Sequence, residues 1–314
     1  MKPSFTRIVL IMAMGLVFSS CRDRDKKGNI LDNATSGSIR IAVDESLRPL
    51  LEAELGTFHN LYVNAKINAT YTSEAEAVEA LLNDSVRLAI VTRQLTPDEK
   101  QVLTKLTLIP RQTKIAKDAV ALILHRDNPD TVFDFEQLTQ IVKGSATTWK
   151  QLFPKSRLTQ LEVVFDNPRS GIVRYLQDSV APVKKLPSNF YAVNNNAAVV
   201  DYVSKNPNAI GLIGVSWISD RDDSTTRQFL KSIRVASISR NDDAVQPYQA
   251  YIATRQYPLC RDVYIISREV RVGLGTGFTA FVAHDKGQRI VLKSGMVPAT
   301  MPVRIVSVNK NPIQ

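Results

Sequence analysis

The chain has 314 residues, 44% of them apolar, and a formal net charge of +10. This apolar content suffices for a packed core and excludes a largely disordered chain, while the length suits one large domain or two lobes. The positive charge favours anionic partners, but no dense Lys/Arg run with interleaved aromatic residues occurs, so we expect no nucleic acid among them.

The first 21 residues predict export from the cytoplasm. Lys2 and Arg7 give a positive start, the apolar run 8–18 is too short to span a membrane, and two serines precede Cys21. This arrangement resembles the signal of bacterial lipoproteins, which implies cleavage after residue 20 and lipidation of the Cys21 thiol. An ordinary secretory signal with an incidental cysteine is the alternative. We therefore expect a protein of the cell envelope, lipid-anchored and facing the periplasm or the cell surface.

Residues 21–36 are polar and charged and predict a flexible tether, after which strands and helices alternate. Apolar residues at helical spacing mark the helices, and Ser73 with Glu76 and Thr96 with Glu99 predict capping boxes at two helix starts. This alternation predicts an α/β fold with a largely parallel sheet. The predicted strands cover residues 38–43, 62–71, 88–91, 118–125, 161–165, 208–215, 262–267 and 301–308. The helices cover residues 47–58, 73–82, 96–99, 135–142, 172–180, 197–203, 278–282 and 288–292.

Several residues that could carry chemistry are better explained by structure. With only two cysteines the chain has no disulfide framework, and Cys260, in an apolar context, is expected to be a small core residue. Trp149 and Trp217 are expected to pack. The glycines of 273–277 lack the context of a dinucleotide-binding fingerprint and predict a loop.

Enzyme signatures are missing from the sequence. The three histidines are scattered without the spacing of metal ligands, and neither a Walker loop nor a nucleophile elbow occurs. We therefore expect a protein without enzymatic activity, cofactor or metal, with hydrolysis of phosphoesters kept as a minor hypothesis.

The strongest functional signal is the order of several short phrases along the chain. They lie at residues 41–49, 71–75, 88–95, 118–121, 137–150, 208–212, 257–259, 287–288 and 295–298. Taken together, over about residues 38–308, they resemble the phosphate-binding proteins of bacterial phosphate ABC transporters. The resemblance implies an α/β, two-lobed periplasmic-binding-protein-like fold with two crossing hinge segments and an interlobe cleft. It also implies that residues 37–117 and 255–314 form lobe 1 and residues 118–254 form lobe 2.

In that family the anion lies in the cleft, beyond the carboxyl ends of strands and near helix N-termini, where free N–H groups and a positive dipole end attract it. Loop-to-helix turns at residues 44–47, 72–74 and 168–172 offer such positions here. Serine and threonine hydroxyls, two arginines and the N–H of Gly171 are expected to donate to an oxyanion. The candidate ligand-binding residues are Asp44, Glu45, Ser46, Thr72, Ser73, Thr92, Arg93, Arg169, Ser170 and Gly171.

The phosphate turns depart from the family pattern in charge. Asp166 stands where the family has arginine and Ile172 where it has threonine, while Asp44 and Glu45 replace small polar residues. Carboxylates repel an anion.

Two functions therefore stay open. The first is a monomeric solute-binding lipoprotein that captures phosphate or a related oxyanion and delivers it to an ABC permease in the inner membrane. The second is a surface or periplasmic interaction protein that retains the fold but has lost the small-anion site.

Overall fold

The alternating elements form one continuous ten-stranded mixed sheet covered by helices. The computed structural model describes residues 32–220, 222–241 and 243–302. The strands are β1 Gly37–Asp44, β2 Ala65–Thr72, β3 Leu88–Val91, β4 Arg111–His125, β5 Val132–Asp134, β6 Glu162–Phe165, β7 Phe190–Ala192, β8 Ala209–Gly214, β9 Ile233–Val235, β10 Ser237–Ser239, β11 Cys260–Ser267 and β12 Val297–Pro298.

The helices are α1 Arg48–Leu61, α2 Glu74–Leu82, α3 Pro97–Lys105, α4 Phe135–Lys143, α5 Trp149–Leu152, α6 Gly171–Tyr175, α7 Asn196–Lys205, α8 Ser216–Ser219, α9 Ser224–Ser232, α10 Gln249–Ala253, α11 Leu274–Ala283 and α12 Asp285–Lys293. A single 3₁₀ turn, Glu45–Leu47, precedes the first of them, and a π-helical turn, Leu176–Val180, continues the sixth. All eight predicted helices occur among the described residues, in the predicted order, together with four short ones that the sequence did not predict: α5, α8, α9 and α10.

In the described residues the main sheet runs β2-β1-β3-β11-β4-β8-β6-β7, with β9 and β12 as two further strands that also pair with β4. Strands β5 and β10 form a separate two-stranded sheet. Strand β1 pairs in parallel with β2 and β3 in one half, which we call lobe 1, and β6 pairs in parallel with β7 and β8 in the other half, lobe 2. The expectation of a largely parallel sheet was wrong. Between the two halves, β4 and β11 run antiparallel to each other, and each also runs antiparallel to its other neighbour in that order, β8 for β4 and β3 for β11.

These two central strands confirm the predicted pair of crossing segments. Strand β4 pairs with β11 over residues 111–119 and with β8 over residues 120–124, so one strand serves both lobes. One crossing segment leads from lobe 1 to lobe 2 and the other returns, which accounts for their opposite directions. The proposed lobe boundary at residues 117/118 falls inside β4.

The core is built from the apolar faces that the sequence predicts. On α1, Leu50, Leu51, Leu55 and Phe58 are buried, and Phe58 meets Phe278 of α11 edge-on at 5.3 Å between ring centroids. Both predicted capping boxes are present at the starts of α2 and α3. Such caps satisfy backbone donors that would otherwise lack partners, so these helix starts are specified locally.

The glycine-rich stretch 273–277 is not the predicted loop. It contains the N-cap and first turn of α11. A Cβ on Gly277 would lie 1.8 Å from the carbonyl oxygen of Ala34, so glycine lets the incoming chain pass directly against the helix.

The predicted tether is also too long at its C-terminal end. Residues 32–36 are described, and they contact α11: the carboxylate of Asp32 accepts a hydrogen bond from the Leu274 N–H at 3.1 Å. Ser36 is fully buried. The folded body therefore begins before Gly37.

Three predictions concern residues outside the described part of the chain: the signal at 1–20, the lipidated Cys21, and residues 303–308 of the last strand. In the described ranges, no helix has the length and apolar character to cross a bilayer.

Cys260 is partly buried, and burial raises the pKa of its thiol to about 12, as suits a packing residue.

Candidate functional site

The predicted anion turns meet between the lobes at the carboxyl ends of parallel strands. Strand β1 ends at Asp44, β3 is followed by Thr92, and β6 by Asp166. The N-termini of α2 and α6 start beside them. The fold therefore places strand ends and helix starts in one cleft, where ligands of open α/β sheets lie.

Asp44 links the first turn to the start of α6. Its Oδ1 accepts hydrogen bonds from the Ser46 N–H at 2.9 Å and the Ser46 hydroxyl at 2.5 Å. Its Oδ2 accepts the Gly171 N–H at 2.9 Å, and the whole residue is buried. The predicted anion donors Ser46 and Gly171 are thus both bonded to a carboxylate of the chain itself.

Glu74, the first residue of α2, holds a second group of predicted donors. Its Oε2 accepts the Thr92 N–H at 2.8 Å and the Thr92 hydroxyl at 2.5 Å. Its Oε1 accepts the Nε–H of Arg174 and lies 3.5 Å from Nε of Arg93. Glu74 is only 2% exposed, so this carboxylate is surrounded by donors and removed from water.

The oxygen atoms of these residues converge on Gly171. A Cβ added there would lie 2.6 Å from Thr92 Oγ1, 2.7 Å from Asp44 Oδ2 and 2.8 Å from Glu74 Oε2. A side chain at this position would therefore have to displace these three polar side chains from their present places.

Glu45 and Asp166 meet at Asn196, the first residue of α7. Glu45 Oε2 accepts the Asn196 N–H at 3.1 Å and a hydrogen bond from the Asn196 side-chain amide, which lies 3.5 Å from Asp166 Oδ2. Asp166 is buried, and its Oδ1 has no hydrogen-bond partner among the described residues.

The carboxyl groups differ in charge because their environments differ. Burial, together with the negative charge of Asp44, raises the pKa of Asp166 to about 7. Burial also raises the pKa values of Asp44 and Glu45. For Glu74 burial acts in the same direction, but the Arg174 guanidinium and the Thr92 donors outweigh it and lower the pKa. Glu74 is therefore the member of this set whose surroundings favour the ionised form.

A buried ion pair forms the floor of the cleft on the two crossing strands. Arg261 of β11 donates to Asp118 of β4 through Nε at 2.8 Å, and its Nη2 donates to the Ser46 hydroxyl at 2.7 Å. The exposed fractions of the two charged side chains are 1% and 0%. Nη1 of Arg261 has no partner within the described ranges, so it is a buried cationic donor with capacity left.

The structure brings Asp44, Glu45, Ser46, Thr92, Ser170 and Gly171 together, and places four other candidates differently. Arg169 directs its guanidinium to Glu79 on the surface of α2, and Arg93 pairs mainly with Glu99 at 2.6 Å. The Thr72 hydroxyl donates to Glu76, and Ser73 caps α2. Ser170 is buried and caps α6.

Sequence reasoning missed five residues of this cleft: Glu74, Asp118, Arg174, Asn196 and Arg261. Asp118 and Arg261 carried a usable signal, since one begins and the other directly precedes a predicted strand rich in apolar residues. Glu74 and Arg174 carried none, because an acidic residue in a first helical turn and a basic one in a last turn are ordinary.

A model of the PBP superfamily domain matches residues 31–286. The chain belongs to the PBP superfamily. It is also similar to the phosphate-binding protein PstS of Staphylococcus aureus, with 25% identity over 248 residues that cover 77% of this chain and 73% of that one. These findings confirm the predicted resemblance.

Solved structures confirm the two-lobed fold. A protein of Clostridium perfringens, described as a phosphate ABC transporter substrate-binding protein and solved with bound phosphate, superimposes with a TM-score of 0.72. It shares 23% identity and covers 84% of this chain and 100% of its own. An ABC-type phosphate transport receptor of Vibrio cholerae gives a TM-score of 0.63 at 20% identity, covering 83% of this chain and 100% of its own.

In residues 32–302, apart from 221 and 242, no cluster of His, Cys, Asp or Glu that could hold a metal ion occurs.

Proposed function

We propose that this protein is an extracytoplasmic solute-binding protein that captures phosphate or a related oxyanion between its lobes and passes it to an ABC permease as a lipid-anchored monomer. The observation that carries the proposal is the shell of donors around the Glu74 carboxylate: the Thr92 N–H and hydroxyl and the Arg174 guanidinium. A carboxylate is itself an oxyanion, so these groups form an oxyanion-binding shell.

Two relatives support the same ligand class, since the Staphylococcus aureus protein is a phosphate-binding protein and the Vibrio cholerae protein a phosphate transport receptor. The acidic residues set a condition on the ligand. A carboxyl group can accept a hydrogen bond from a protonated phosphate, whereas a fully ionised anion meets only repulsion from it. At an effective dielectric of about 20, two unit charges 4 Å apart interact by about 4 kcal/mol, enough to discriminate between the two.

Titration calorimetry of the full chain with phosphate, sulfate and molybdate tests the proposal. We expect heat from phosphate, which keeps a proton near neutral pH, and less from sulfate, which does not. Arg174→Ala should weaken phosphate binding by about 2–5 kcal/mol, because it removes a charged donor from a desolvated site. Arg169→Ala is the matched control, because that guanidinium lies on the surface against Glu79. Equal binding by both variants would show that the anion lies elsewhere.

Membrane attachment is tested at Cys21. We expect labelled palmitate to be incorporated into the wild-type protein, and Cys21→Ser to lose the label and move to the soluble envelope fraction. Cys260→Ser is the control and should leave both properties unchanged. Release of the wild-type protein without label would favour the ordinary secretory signal.

The second candidate function is an interaction protein without a small-anion site. Glu74 favours it, because its carboxylate is buried and both of its oxygens accept hydrogen bonds from the chain itself. This candidate predicts no heat from any anion and no anion that co-purifies with the chain.

A further inference from the structure

We propose that Glu74 is an internal ligand of the cleft: its carboxylate occupies the oxyanion subsite and holds the two lobes together. This inference deepens the proposed function and rests on it for the identity of the subsite. It makes Glu74 the residue that determines which anions can enter, since an incoming anion must displace it.

The contacts between the lobes include three in which lobe 1 supplies a carboxylate and lobe 2 supplies the donors. Asp44 of lobe 1 accepts the Gly171 N–H of lobe 2 at 2.9 Å, and Glu45 accepts both nitrogens of Asn196. Glu74 accepts the Arg174 guanidinium. A free oxyanion in such a cleft would make the same bridge from one lobe to the other.

Glu74 is the member of this set that most resembles a bound anion. Its two oxygens collect hydrogen bonds from the backbone N–H and hydroxyl of Thr92 in lobe 1 and from Arg174 in lobe 2. Nη2 of Arg174 also donates to the Thr92 hydroxyl at 3.2 Å and to its carbonyl oxygen at 3.3 Å. The same donors therefore serve the carboxylate and join the lobes.

Attachment to α2 gives this carboxylate an advantage over a dissolved anion. A tethered group competes at an effective concentration in the millimolar range or above, with no translational entropy to lose on binding. The observed affinity for a free anion equals the intrinsic affinity of the subsite multiplied by the fraction of molecules in which Glu74 has left it.

A second interlobe ion pair supplies a matched control. Glu79, on the same helix, pairs with Arg169 across the cleft, but the two side chains are 55% and 48% exposed. Exposed pairs contribute little, so Glu79→Ala should leave the lobes closed.

The first readout is small-angle X-ray scattering from the ligand-free full chain. We expect Glu74→Ala to increase the radius of gyration, and Glu74→Gln, which keeps the shape but loses the charge, to do so in part. Glu79→Ala should scatter as the wild type does. An unchanged profile for both Glu74 variants would overturn the inference, and Glu74→Gln keeps the test valid if the alanine variant does not fold.

The second readout is calorimetric titration with inorganic phosphate. Removing the internal competitor should lower the Kd of Glu74→Ala by about tenfold or more relative to the wild type, while Glu79→Ala leaves it unchanged. If Glu74→Ala opens the lobes but no variant binds phosphate, the internal contact stands and the proposed function fails. If the wild type binds phosphate and Glu74→Ala neither opens nor gains affinity, the inference fails and the proposed function stands.

Discussion

Replacing Arg261 by Met is expected to lower the free energy of unfolding by about 3–5 kcal/mol, because the buried Asp118 carboxylate then loses its partner. Both charged groups lie at the centre of the molecule, with side-chain exposures of 1% and 0%, and are joined at 2.8 Å. Burial acts to raise the pKa of Asp118, and the Arg261 charge opposes that rise. Urea unfolding at pH 8, followed by circular dichroism, measures the loss.

Arg289→Met is the matched control for this substitution. Arg289 pairs with Asp285 at 3.1 Å on the surface of α12, where the exposed fractions are 71% and 67%. We expect a change within about 0.5 kcal/mol there. Removing both buried charges in Asp118→Leu/Arg261→Met should recover much of the loss. A single variant as stable as the wild type would mean that Asp118 is uncharged in the folded protein.

Replacing Glu54 by Met is expected to stabilise the protein on the order of 4 kcal/mol at pH 8. Glu54 lies on the buried face of α1, is completely buried, and neither of its carboxylate oxygens has a hydrogen-bond partner in the described part of the chain. Burial raises the pKa of this carboxyl from 4.5 to about 9. At pH 8 the folded protein must hold a proton there that the unfolded chain has released.

The sign of the pH dependence follows from that raised pKa. The folded state binds the Glu54 proton more tightly than the unfolded state does. The stability that this proton contributes is therefore fully present below the unfolded pKa and is lost as the pH rises through the folded pKa. Wild-type stability should therefore fall between about pH 4.5 and pH 9. In Glu54→Met this part of the decline should disappear, so that the two proteins differ most at alkaline pH.

Glu52→Met, two positions away on α1, tests whether the effect comes from burial. The Glu52 side chain is 58% exposed, and its Oε1 lies 3.6 Å from Nη1 of Arg48. Its loss should therefore change the free energy of unfolding by less than about 0.5 kcal/mol. Thermal unfolding of the three proteins at pH 5 and pH 8 makes the comparison. Parallel pH profiles for the wild type and Glu54→Met would contradict the assignment of the proton to Glu54.

The resemblance to the family located only part of the residues that line this cleft. Ser46, Thr92, Ser170 and Gly171 could be located from sequence because each follows a recognisable strand or begins a helix. The cations could not: Arg93 and Arg169 were predicted, whereas the guanidiniums that donate hydrogen bonds to Glu74 and Ser46 are those of Arg174 and Arg261. A long flexible side chain can turn to either side of its backbone, and sequence does not record which side it takes.

The alternation of strands and helices and the two capping boxes could be predicted from the sequence, because they depend on apolar periodicity and on hydrogen bonds between residues a few positions apart. The two crossing strands were predicted only through the resemblance to a known family. Which charges meet depends on the tertiary structure. Glu74 and Arg174 are 100 positions apart, Asp44 and Gly171 are 127 apart, and Asp118 and Arg261 are 143 apart. The first two contacts arise because the two lobes meet across the cleft, and the third because β4 and β11 pair with Arg261 opposite Asp118. No local pattern encodes either approach.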